Sequence, residues 1–530
     1  MAAAPAIFKP APGVPDGDET LIEDVLRRVE RAKQDRSRHE PRLAECYKYA
    51  LPWRHTFRAA QPVDQLDEIY DSTAMTTVED FAADMLNTFT PMKADWVDMK
   101  PRLILPPIIQ AQIAGPLKDY QAILFGEMAR SNLYQALQEA YLDLAPGTMA
   151  LLINDRDIAE PIHCEAIPST ELLIDRGPYR LIDGKWREWK VRGEEINVIW
   201  PDAKSTQDSG MKWTNGTEYD IIDGCYRDWS DRGTERYKYV VLCNNKIIYQ
   251  EQYGGRGSCP MIVARWSRDP TTAWGVGPLY RELPDVKTVN FIKKIGFKNL
   301  AKVVDPVTSY EDDGVMNLDH GVNPGDWIPR AAGSEAPEVV EAKGKFDVAW
   351  LELDDVRSSI RRAHYQDRPE QKGKTPPSAS QWMDEAAERA RRMGSPATNL
   401  VIELQYPIVY RFAYLLERRG VLPPIKLNGQ LYALEPVSPL LRAQEQEEML
   451  RITRWAETIT ALFGPQMAAV LIDQPLFSEK LAKLAGVDPS LPRNQAQIAE
   501  AIKQFAQVIP QIAGAAGGQP PAAPPPTGVP

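Results

Sequence analysis

Apolar side chains recur every three or four residues in the first part of the chain, which is the spacing of one buried helix face. A helix is predicted from Thr20, because Thr20 and Glu23 form a capping box. The charged run 27–42 extends this helix as a solvated segment, and Pro52 ends it. A second helix is predicted over 74–89, capped by Asp71, Ser72 or Thr73.

After a short strand at 96–101, a third helical stretch over 114–145 is interrupted at Ser131-Asn132, which indicates two helices. Between 148 and 266 the period changes and turn residues separate short runs, so this region is predicted to be rich in β-strands. The predicted strands are Met149–Ile153, His163–Ile167, Leu172–Asp175, Trp186–Val191, Asn197–Trp200, Tyr219–Arg227, Tyr237–Leu242, Lys246–Tyr253 and Met261–Trp266. The turn signals are Asp183-Gly184, Asp223-Gly224 and Asn244-Asn245, the last a two-residue hairpin.

Two helices then flank an insert of short extended runs. The first helix starts at about Leu279, and Pro284 lies early in it, where proline is tolerated or produces a kink. Its polar side is basic, since residues 279–302 carry six basic and two acidic side chains. The insert, 303–345, is acidic, with eight carboxylates against three basic residues in 311–345. The second helix covers about 347–365 and ends in basic residues, which suit the helix dipole.

A polar loop at 366–377 leads to a long helix that Ser378 or Ser380 caps and that ends near Gly420. Residues 394–396 and Pro407 are expected to kink this helix. A strand pair at about 425–434 with an Asn428-Gly429 turn follows, and the helical pattern returns over 439–508. The Ala/Pro/Gly-rich ends, 1–18 and 513–530, are predicted to be disordered.

Length and composition indicate a globular protein with several lobes, since 530 residues exceed one ordinary core. A net charge of −11 argues against a broad basic face that grips nucleic acid, but it is compatible with a wall that surrounds a polyanion and leaves it mobile. The five cysteines are widely spaced and are expected to be free thiols of a reducing compartment. Neither a signal peptide nor a membrane span is expected.

No motif in the sequence points to catalysis. The five histidines are scattered outside any HExxH arrangement, and neither a phosphate-binding GxxxxGK[ST] loop nor a GxSxG elbow occurs. The adjacent acids Asp354-Asp355 point about 100° apart on a helix, so they are poorly placed to share one metal. We therefore predict a protein that is not an enzyme, with no catalytic, cofactor-binding or metal-binding residues.

Four stretches in a fixed order complete the sequence pattern: ECYKYALPW at 45–53 with IYDST at 69–73, WGVGPLYRELPDVKTVN at 274–290, the loop and helix of 375–407, and VSPL at 437–440 with Ala443-Gln444. With these stretches, about residues 20–505 resemble the portal, or head-to-tail connecting, protein of short-tailed double-stranded DNA bacteriophages. The start of the long helix departs from the family pattern, because the usual Thr/Ala-rich stretch reads TPPSAS at 375–380.

The resemblance implies a mixed α+β portal fold and a ring oligomer of twelve subunits. Its parts would be a disordered N-terminus (1–18), a wing that is helical and then β-rich (19–278), stem helix 1 (279–302), a β-containing clip (303–345), stem helix 2 (346–365), a tunnel loop (366–378), a long kinked helix with a wing β-hairpin (379–437), a helical crown (438–508) and a disordered tail (509–530).

The resemblance further implies a channel at the unique capsid vertex of the virion, for DNA entry during packaging and exit during ejection. The ring would be assembled in the host bacterial cytoplasm, without membrane insertion and without a cofactor. Its expected partners are other copies of the chain, double-stranded DNA, the terminase large subunit that hydrolyses ATP, the major capsid and scaffolding proteins, and a tail adaptor protein.

Charge and placement nominate two groups of residues for these roles. The DNA-channel candidates are Arg368, Lys372, Lys374, Lys287, Lys293, Lys294 and Lys298. The candidates for motor and tail docking, in the clip, are Glu311, Asp312, Asp313, Asp319, Asp326 and Trp327. For the lysines of 287–302, the wet side of an amphipathic helix is an equally good interpretation, and the loop residues fit an ordinary exposed loop as well.

Two other functions stay open at this point. One is a non-channel scaffold or adaptor protein of a virus particle, which electron microscopy would separate from a portal by the presence or absence of rings with a central hole. The other is an enzyme that acts on nucleic acid, which would need a metal-binding acid cluster that the sequence does not display.

Overall fold

The computed structural model divides the chain into two compact units, Met1–Val437 and Ser438–Pro530. In the first unit it describes residues 19–54, 68–101, 107–156, 161–201, 203, 213–230, 233–304, 308–309, 338–339, 346–366, 393–423 and 432–436. In the second unit it describes residues 449, 451–464, 467, 477–478 and 481, of which 451–464 are helical as predicted.

Helices and antiparallel strands both build the first unit. Its helices are α1 (Glu19–Ala50), α2 (Thr73–Phe89), α3 (Pro107–Arg130), α4 (Leu133–Leu144), α5 (Gly193–Ile199), α6 (Pro278–Val304), α7 (Phe346–Ala363), α8 (Gly394–Leu400) and α9 (Tyr406–Arg418). Its strands are β1 (Val97–Pro101), β2 (Thr148–Asp155), β3 (Ile162–Ile167), β4 (Leu172–Arg176), β5 (Ile182–Arg192), β6 (Glu218–Asp228), β7 (Arg236–Cys243), β8 (Lys246–Gly254), β9 (Met261–Arg265), β10 (Thr308–Ser309), β11 (Glu338–Val339) and β12 (Tyr432–Pro436).

Four antiparallel sheets result from the described strands. Strands β4 to β8 form a five-stranded meander in chain order, and β2 lies between β3 and β9 in a second sheet. The pairs β1–β12 and β10–β11 are two-stranded. The mixed helix-and-strand class predicted from the sequence is therefore confirmed.

Most helix predictions are confirmed within a few residues. The capped segment at 74–89 is α2, where Asp71 accepts a hydrogen bond from the Thr73 amide at 2.9 Å. The break at Ser131-Asn132 separates α3 from α4. The Asn244-Asn245 hairpin joins β7 to β8, and both asparagines have positive φ, 51° and 61°, as a type I′ turn requires.

Two turn predictions and one strand prediction are wrong. Asp183-Gly184 and Asp223-Gly224 lie inside β5 and β6. Glycine is needed at 224 because a Cβ there would lie 2.3 Å from the Lys185 carbonyl oxygen, so it marks a close backbone approach. Residues 197–200 are not a strand; 197–199 belong to α5, which has two glutamates in its first turn and buries Ile196.

The charged run of α1 is docked on the five-stranded sheet and is not a solvated segment as predicted. Arg28 contacts Asp183 at 3.1 Å and Arg31 contacts Asp175 at 2.7 Å. Further along, Lys33 pairs with Glu188 at 2.6 Å. These acids lie more than a hundred positions away in the sequence, so the charge pattern of the helix alone did not reveal its partners.

One described strand, β12, follows the long helix. It pairs with β1, which lies far earlier in the sequence, with Tyr432 opposite Pro101 and Pro436 opposite Val97. The predicted turn at Asn428-Gly429 lies outside the described residues, as do most of the insert 303–345, the loop with the start of the long helix (367–392), and both chain ends.

The described part of the long helix has a π-helical segment, Val401–Gln405, between α8 and α9. This segment directly precedes α9, which carries Pro407 near its start, and π-turns and prolines are the usual sites of helix irregularity. Gly420, with φ of 74°, lies just beyond the end of α9, as predicted.

Arg411 of α9 is a buried side chain that connects α9 to β2 and to the segment before β9. Its guanidinium donates to the carbonyls of Ile153 and Ser258, both at 2.8 Å, and to the Asn154 side-chain oxygen at 3.1 Å. Buried carbonyl oxygens need such donors, because burial removes the water molecules that would otherwise donate hydrogen bonds to them. Arg411 therefore anchors α9 to β2 and to the segment before β9.

Replacing Arg411 by Met is expected to lower the free energy of unfolding by about 3 kcal/mol, because it leaves buried carbonyls without a donor. Chemical denaturation of the purified protein measures this change. The matched control is Arg418→Met, because Arg418 is the last residue of the same helix and its side chain is exposed. Its expected effect on the free energy of unfolding is within about 0.5 kcal/mol. Equal effects of the two substitutions would contradict the anchoring role.

Candidate functional site

The first half of α6 is part of the main hydrophobic core. Leu279, Leu283, Val286 and Val289 are buried there, whereas Ile295, which continues the same helical spacing, is exposed. The helix packs against α1, α2 and α7, and α7 contributes the buried residues Leu353 and Ile360 to the same core. The predicted pair of helices flanking the insert therefore exists and is rooted in the body of the unit.

Asn290 is a polar residue within the buried face of α6. Its Oδ1 accepts hydrogen bonds from the amides of Tyr70 at 2.7 Å and Asp71 at 3.3 Å, and its Nδ2 donates to the Glu68 carbonyl at 3.1 Å. One side chain thus satisfies three backbone groups of the segment before α2. The turn from 68 to 71 is fastened to α6 by this residue.

Asp71 also joins α7 to this point. Arg357 of α7 donates to Asp71 Oδ2 from Nε at 3.2 Å and from Nη2 at 2.5 Å. Burial acts to raise the pKa of Asp71, but hydrogen bonds from Thr73 and Arg357 outweigh it and hold the pKa below its ordinary value. We call Asp71, Asn290 and Arg357 the Asp71 junction, because together they connect α2, α6 and α7.

Two of the lysines nominated for the DNA channel contact the body of the protein. Lys287 forms an ion pair of 2.7 Å with Glu45 of α1, and both side chains are about half exposed. The Lys294 ammonium lies 5.5 Å from the centre of the Tyr70 ring. The pKa of Glu68 is lowered mainly by its hydrogen bond and charge interaction with Lys48, and the charge of Lys294 adds to this effect. These contacts orient the basic side of α6 relative to α1 and the 68–71 turn.

The other two nominated lysines of α6 are Lys293 and Lys298. Lys298 is exposed, and Lys293 lies 5.9 Å from the Phe297 ring centre. At about 100° per residue, positions 287, 294 and 298 fall within roughly 40° of one another around the helix, whereas 293 falls on another side. Lys287, Lys294 and Lys298 therefore form one basic stripe, which ends in the exposed Lys298.

Beyond the core, α6 exposes large apolar side chains. Phe291 and Ile295 are 61% and 40% exposed, and Phe297 and Leu300 are 51% and 57% exposed. The midpoints of these two pairs lie roughly 170° apart around the helix axis, at about 100° per residue. Lys294 and Lys298 lie on the arc between the pairs. This half of α6 therefore has two opposite apolar faces and a basic face between them.

The end of α7 is fixed where the chain leaves towards the polar loop. His364 is fully buried, with Nδ1 2.9 Å from the Ile360 carbonyl oxygen and its ring edge-on to Phe81. Burial lowers the pKa of His364 to about 4, so the ring is neutral near pH 7. Gln366 then donates to Asp84 of α2 at 2.9 Å. The loop thus starts from a fixed point on α2.

The remaining nominated residues lie outside the described part of the chain. These are Arg368, Lys372 and Lys374 of the loop, and Glu311, Asp312, Asp313, Asp319, Asp326 and Trp327 of the insert. Their roles stay predictions.

The Asp71 junction was not predicted from the sequence as a unit. Asp71 was considered only as a cap of α2, and Arg357 only as a charge suited to the end of α7. One signal was present in the sequence: Asn290 stands beside Val289 on the core side of an otherwise apolar helix stripe, where a polar residue needs a buried partner.

Within the described residues, no group of three or more His, Cys, Asp or Glu side chains is arranged to hold a metal ion. None of the described helices combines the length and the apolar character needed to cross a bilayer.

Comparison with known proteins gives a family match over most of the chain. Residues 23–492 match the family described as bacteriophage head to tail connecting protein. None of the curated proteins matches the sequence.

Several solved structures are similar to this chain. One is from the virion of the native gene transfer agent (GTA) particle, with a TM-score of 0.40, 10% identity, and coverage of 84% of this chain and 99% of that chain. Another is from the neck of the empty GTA particle computed with C6 symmetry, with a TM-score of 0.39, 11% identity and coverage of 82% and 96%. A third is from the neck of the native GTA particle computed with C12 symmetry, with a TM-score of 0.39, 10% identity and coverage of 81% and 93%.

Replacing Arg357 by Met is expected to reduce the free energy of unfolding by roughly 2 kcal/mol near pH 7, because the Asp71 carboxylate loses its cation. The pKa of Asp71 is lowered in the folded protein, so the stabilisation is complete above the ordinary pKa of about 4 and is lost as the pH falls below it. Thermal unfolding of both proteins between pH 3 and 7 measures the difference.

The control for this prediction is Arg361→Met, one turn further along α7, where the side chain is exposed. Its expected effect is within about 0.5 kcal/mol at every pH. A difference between wild type and Arg357→Met that stays constant down to pH 3 would show that Arg357 acts through packing and not through the Asp71 carboxylate.

Proposed function

This chain belongs to the bacteriophage head-to-tail connecting proteins, a family of structural virion components, and we propose that it forms the portal ring at one capsid vertex. Double-stranded DNA would enter the capsid through this ring during packaging and leave through it during ejection. The resemblance noted in the sequence is the same family, and the match spans residues 23–492.

The arrangement of side chains on the second half of α6 is the observation that carries the proposal. A subunit of a closed ring needs two different surfaces, one for each neighbour. The pair Phe291 and Ile295 and the pair Phe297 and Leu300 are exposed on opposite faces of this helix. In the ring, each pair would be buried against the adjacent subunit. The basic face between them, with Lys294 and Lys298, would then point towards the axis.

Charge explains how such a channel could hold DNA without gripping it. The chain has a net charge of −11, so a wall with few basic groups repels phosphate and keeps the duplex centred. Lys294 and Lys298 of each subunit would add rings of weak contact. Lys372 and Lys374, with Arg368, would add a second set on the loop that follows α7.

The Asp71 junction has a mechanical role in this proposal. Force on the DNA during packaging acts on the helices that line the path. Asn290 and Arg357 connect α6 and α7 to the turn before α2 by buried or half-buried hydrogen bonds. The junction would transmit load from the stem helices to the rest of the subunit.

We propose the parts of the portal with the same boundaries that the sequence resemblance implies. Residues 279–302 and 346–365 are proposed as the stem helices, and the acidic insert 303–345 as the clip that docks the terminase large subunit and later the tail adaptor. The ring is proposed to have twelve subunits and to meet the capsid and scaffolding proteins through its wing (19–278) and crown (438–508). ATP hydrolysis belongs to the terminase, so the ring itself needs no catalytic site.

A mixing experiment tests the two-faced ring. Phe291→Asp should disable one face and Leu300→Asp the opposite one, because burial of an unpaired carboxylate at an apolar contact is unfavourable. Neither variant alone should form rings, which light scattering and negative-stain microscopy detect. An equimolar mixture should form heterodimers, since each variant keeps the face that the other lacks.

Val198→Asp serves as the matched control, since Val198 is an exposed apolar residue on α5 and is 80% exposed. This variant should assemble like wild type. Both α6 variants should unfold at the wild-type temperature, because the substituted side chains are exposed in the subunit. Rings formed by either α6 variant alone, or a mixture that contains monomers only, would contradict the proposed interfaces.

Neutralising the basic face should impair DNA passage but leave the ring intact. For Lys294→Gln/Lys298→Gln particles we expect packaged DNA to fall roughly threefold, because the contacts with phosphate are weakened. The amount of nuclease-protected DNA in an in vitro packaging reaction measures this. Lys246→Gln, an exposed lysine at the start of β8, is the control and should package normally. Equal packaging by all three proteins would remove these lysines from the channel.

A further inference from the structure

A thiol and a lysine line a cavity in the β-rich region, and a second thiol lies behind the first. The cavity has a volume of about 330 Å³, and Lys185, Cys259, Glu403 and Tyr410 are among the residues that line it. Cys259 lies just before β9 and is partly exposed, whereas Cys225 of β6 is fully buried. One thiol is therefore open to the cavity and the other is behind it.

The two sulfur atoms are close enough to react with each other. Cys225 Sγ and Cys259 Sγ lie 3.0 Å apart. A disulfide bond is about 2.05 Å long, so the two sulfurs need to approach by about 1 Å to form one. The remaining cysteines, Cys46, Cys164 and Cys243, are buried.

Lys185 of β5 places a positive charge beside this pair. Its Nζ donates to the Met261 carbonyl at 2.8 Å and lies 3.8 Å from Cys259 Sγ. An ammonium at this distance favours the thiolate, which is the nucleophilic form of cysteine. The chain thus supplies an accessible sulfur, a cation that stabilises its anion and a second thiol within reach.

The pKa values also distinguish Cys259 from other thiols of the chain, because that of Cys259 is lowered and those of Cys225, Cys46 and Cys164 are raised. Burial acts to raise the pKa of Cys259, but the hydrogen bond from Cys225 and the Lys185 charge lower it to about 6. Burial raises the pKa of Cys225 well above its ordinary value, and raises the pKa of Cys46 and of Cys164 to about 12.

We propose that Cys259 and Cys225 are a peroxide-sensitive thiol pair, in which Cys259 reacts with a small hydroperoxide in the cavity and Cys225 then closes a disulfide. In the first step the Cys259 thiolate attacks one peroxide oxygen, the O–O bond breaks, and the leaving hydroxide or alkoxide takes a proton to give water or an alcohol. Cys259 is then a sulfenic acid. In the second step the Cys225 sulfur attacks Cys259 Sγ, the S–O bond breaks, and water leaves with the Cys225 proton.

The disulfide would add a second anchor to the segment that Arg411 already holds. Gly257 and Ser258, just before Cys259, present their carbonyls to Arg411 of α9 at 3.5 and 2.8 Å. A Cys225–Cys259 bond would fix this segment covalently to the five-stranded sheet. Oxidation should therefore raise the unfolding temperature, and reduction with dithiothreitol should reverse the change.

The test uses the reduced, purified full chain and hydrogen peroxide. We expect a loss of about 2 Da on oxidation and a Cys225–Cys259 peptide in non-reducing mass spectrometry. Cys225→Ser should stop at the Cys259 sulfenic acid, which dimedone traps. Cys259→Ser should form no disulfide, and Cys243→Ser, the control, should oxidise like wild type. Cys259 left unmodified, or oxidised while Cys225 stays a free thiol in the wild type, would overturn the proposal.

Alkylation rates test the role of Lys185 separately. Iodoacetamide should modify Cys259 first, with a rate that rises through about pH 6. In Lys185→Met the rate at pH 7 should fall by about tenfold, because the thiolate loses its neighbouring cation. Circular dichroism shows whether this variant folds. If it does not fold, the test is the alkylation rate of Cys259 compared with that of Cys243 in the wild-type protein. Alkylation of Cys259 no faster than that of Cys243 at pH 7 would also overturn the proposal.

Discussion

The contact between Asp71 and its two partners is the constraint on which the arrangement of the helices depends. Asn290 satisfies three backbone groups of the turn before α2, and Arg357 balances the Asp71 carboxylate. Buried polar groups are costly when unpaired, so this turn, α6 and α7 are stable only in each other's presence. The helices that border the insert therefore have fixed roots in the core, although their outer ends carry exposed side chains.

The change of character along α6 connects structure with function. Its first half is buried and ends at the Asp71 junction, whereas its second half exposes two opposite apolar faces and a basic face. A single copy gains nothing from apolar side chains exposed on two sides of a helix. Two neighbours in a ring would bury both, and the basic face would remain for a passing polyanion. In this account the channel needs shape and charge, and no catalytic group has a task in it.

The sequence predicted elements well where one local signal decided them, such as the helix break at Ser131-Asn132 or the asparagines at 244–245. It failed where distant residues decided. Gly224 was taken as a turn, but it is glycine because the Lys185 carbonyl approaches it. The charges of α1 find their acids across more than a hundred residues. The pairing of β12 with β1, two strands far apart in the sequence, was not foreseen either. At the site, charge and placement nominated the basic side of α6, including Lys293, which lies off the stripe. The Asp71 junction was missed because it joins three separate segments.

An electron cryomicroscopy reconstruction of the assembled protein, viewed along its axis with DNA present, tests the central claim most directly. The account predicts a ring around duplex density, with Lys294 and Lys298 facing that density and the pairs Phe291/Ile295 and Phe297/Leu300 buried between neighbouring subunits. A particle without a central hole, or a ring in which the basic face of α6 lies on the outer rim, would contradict it.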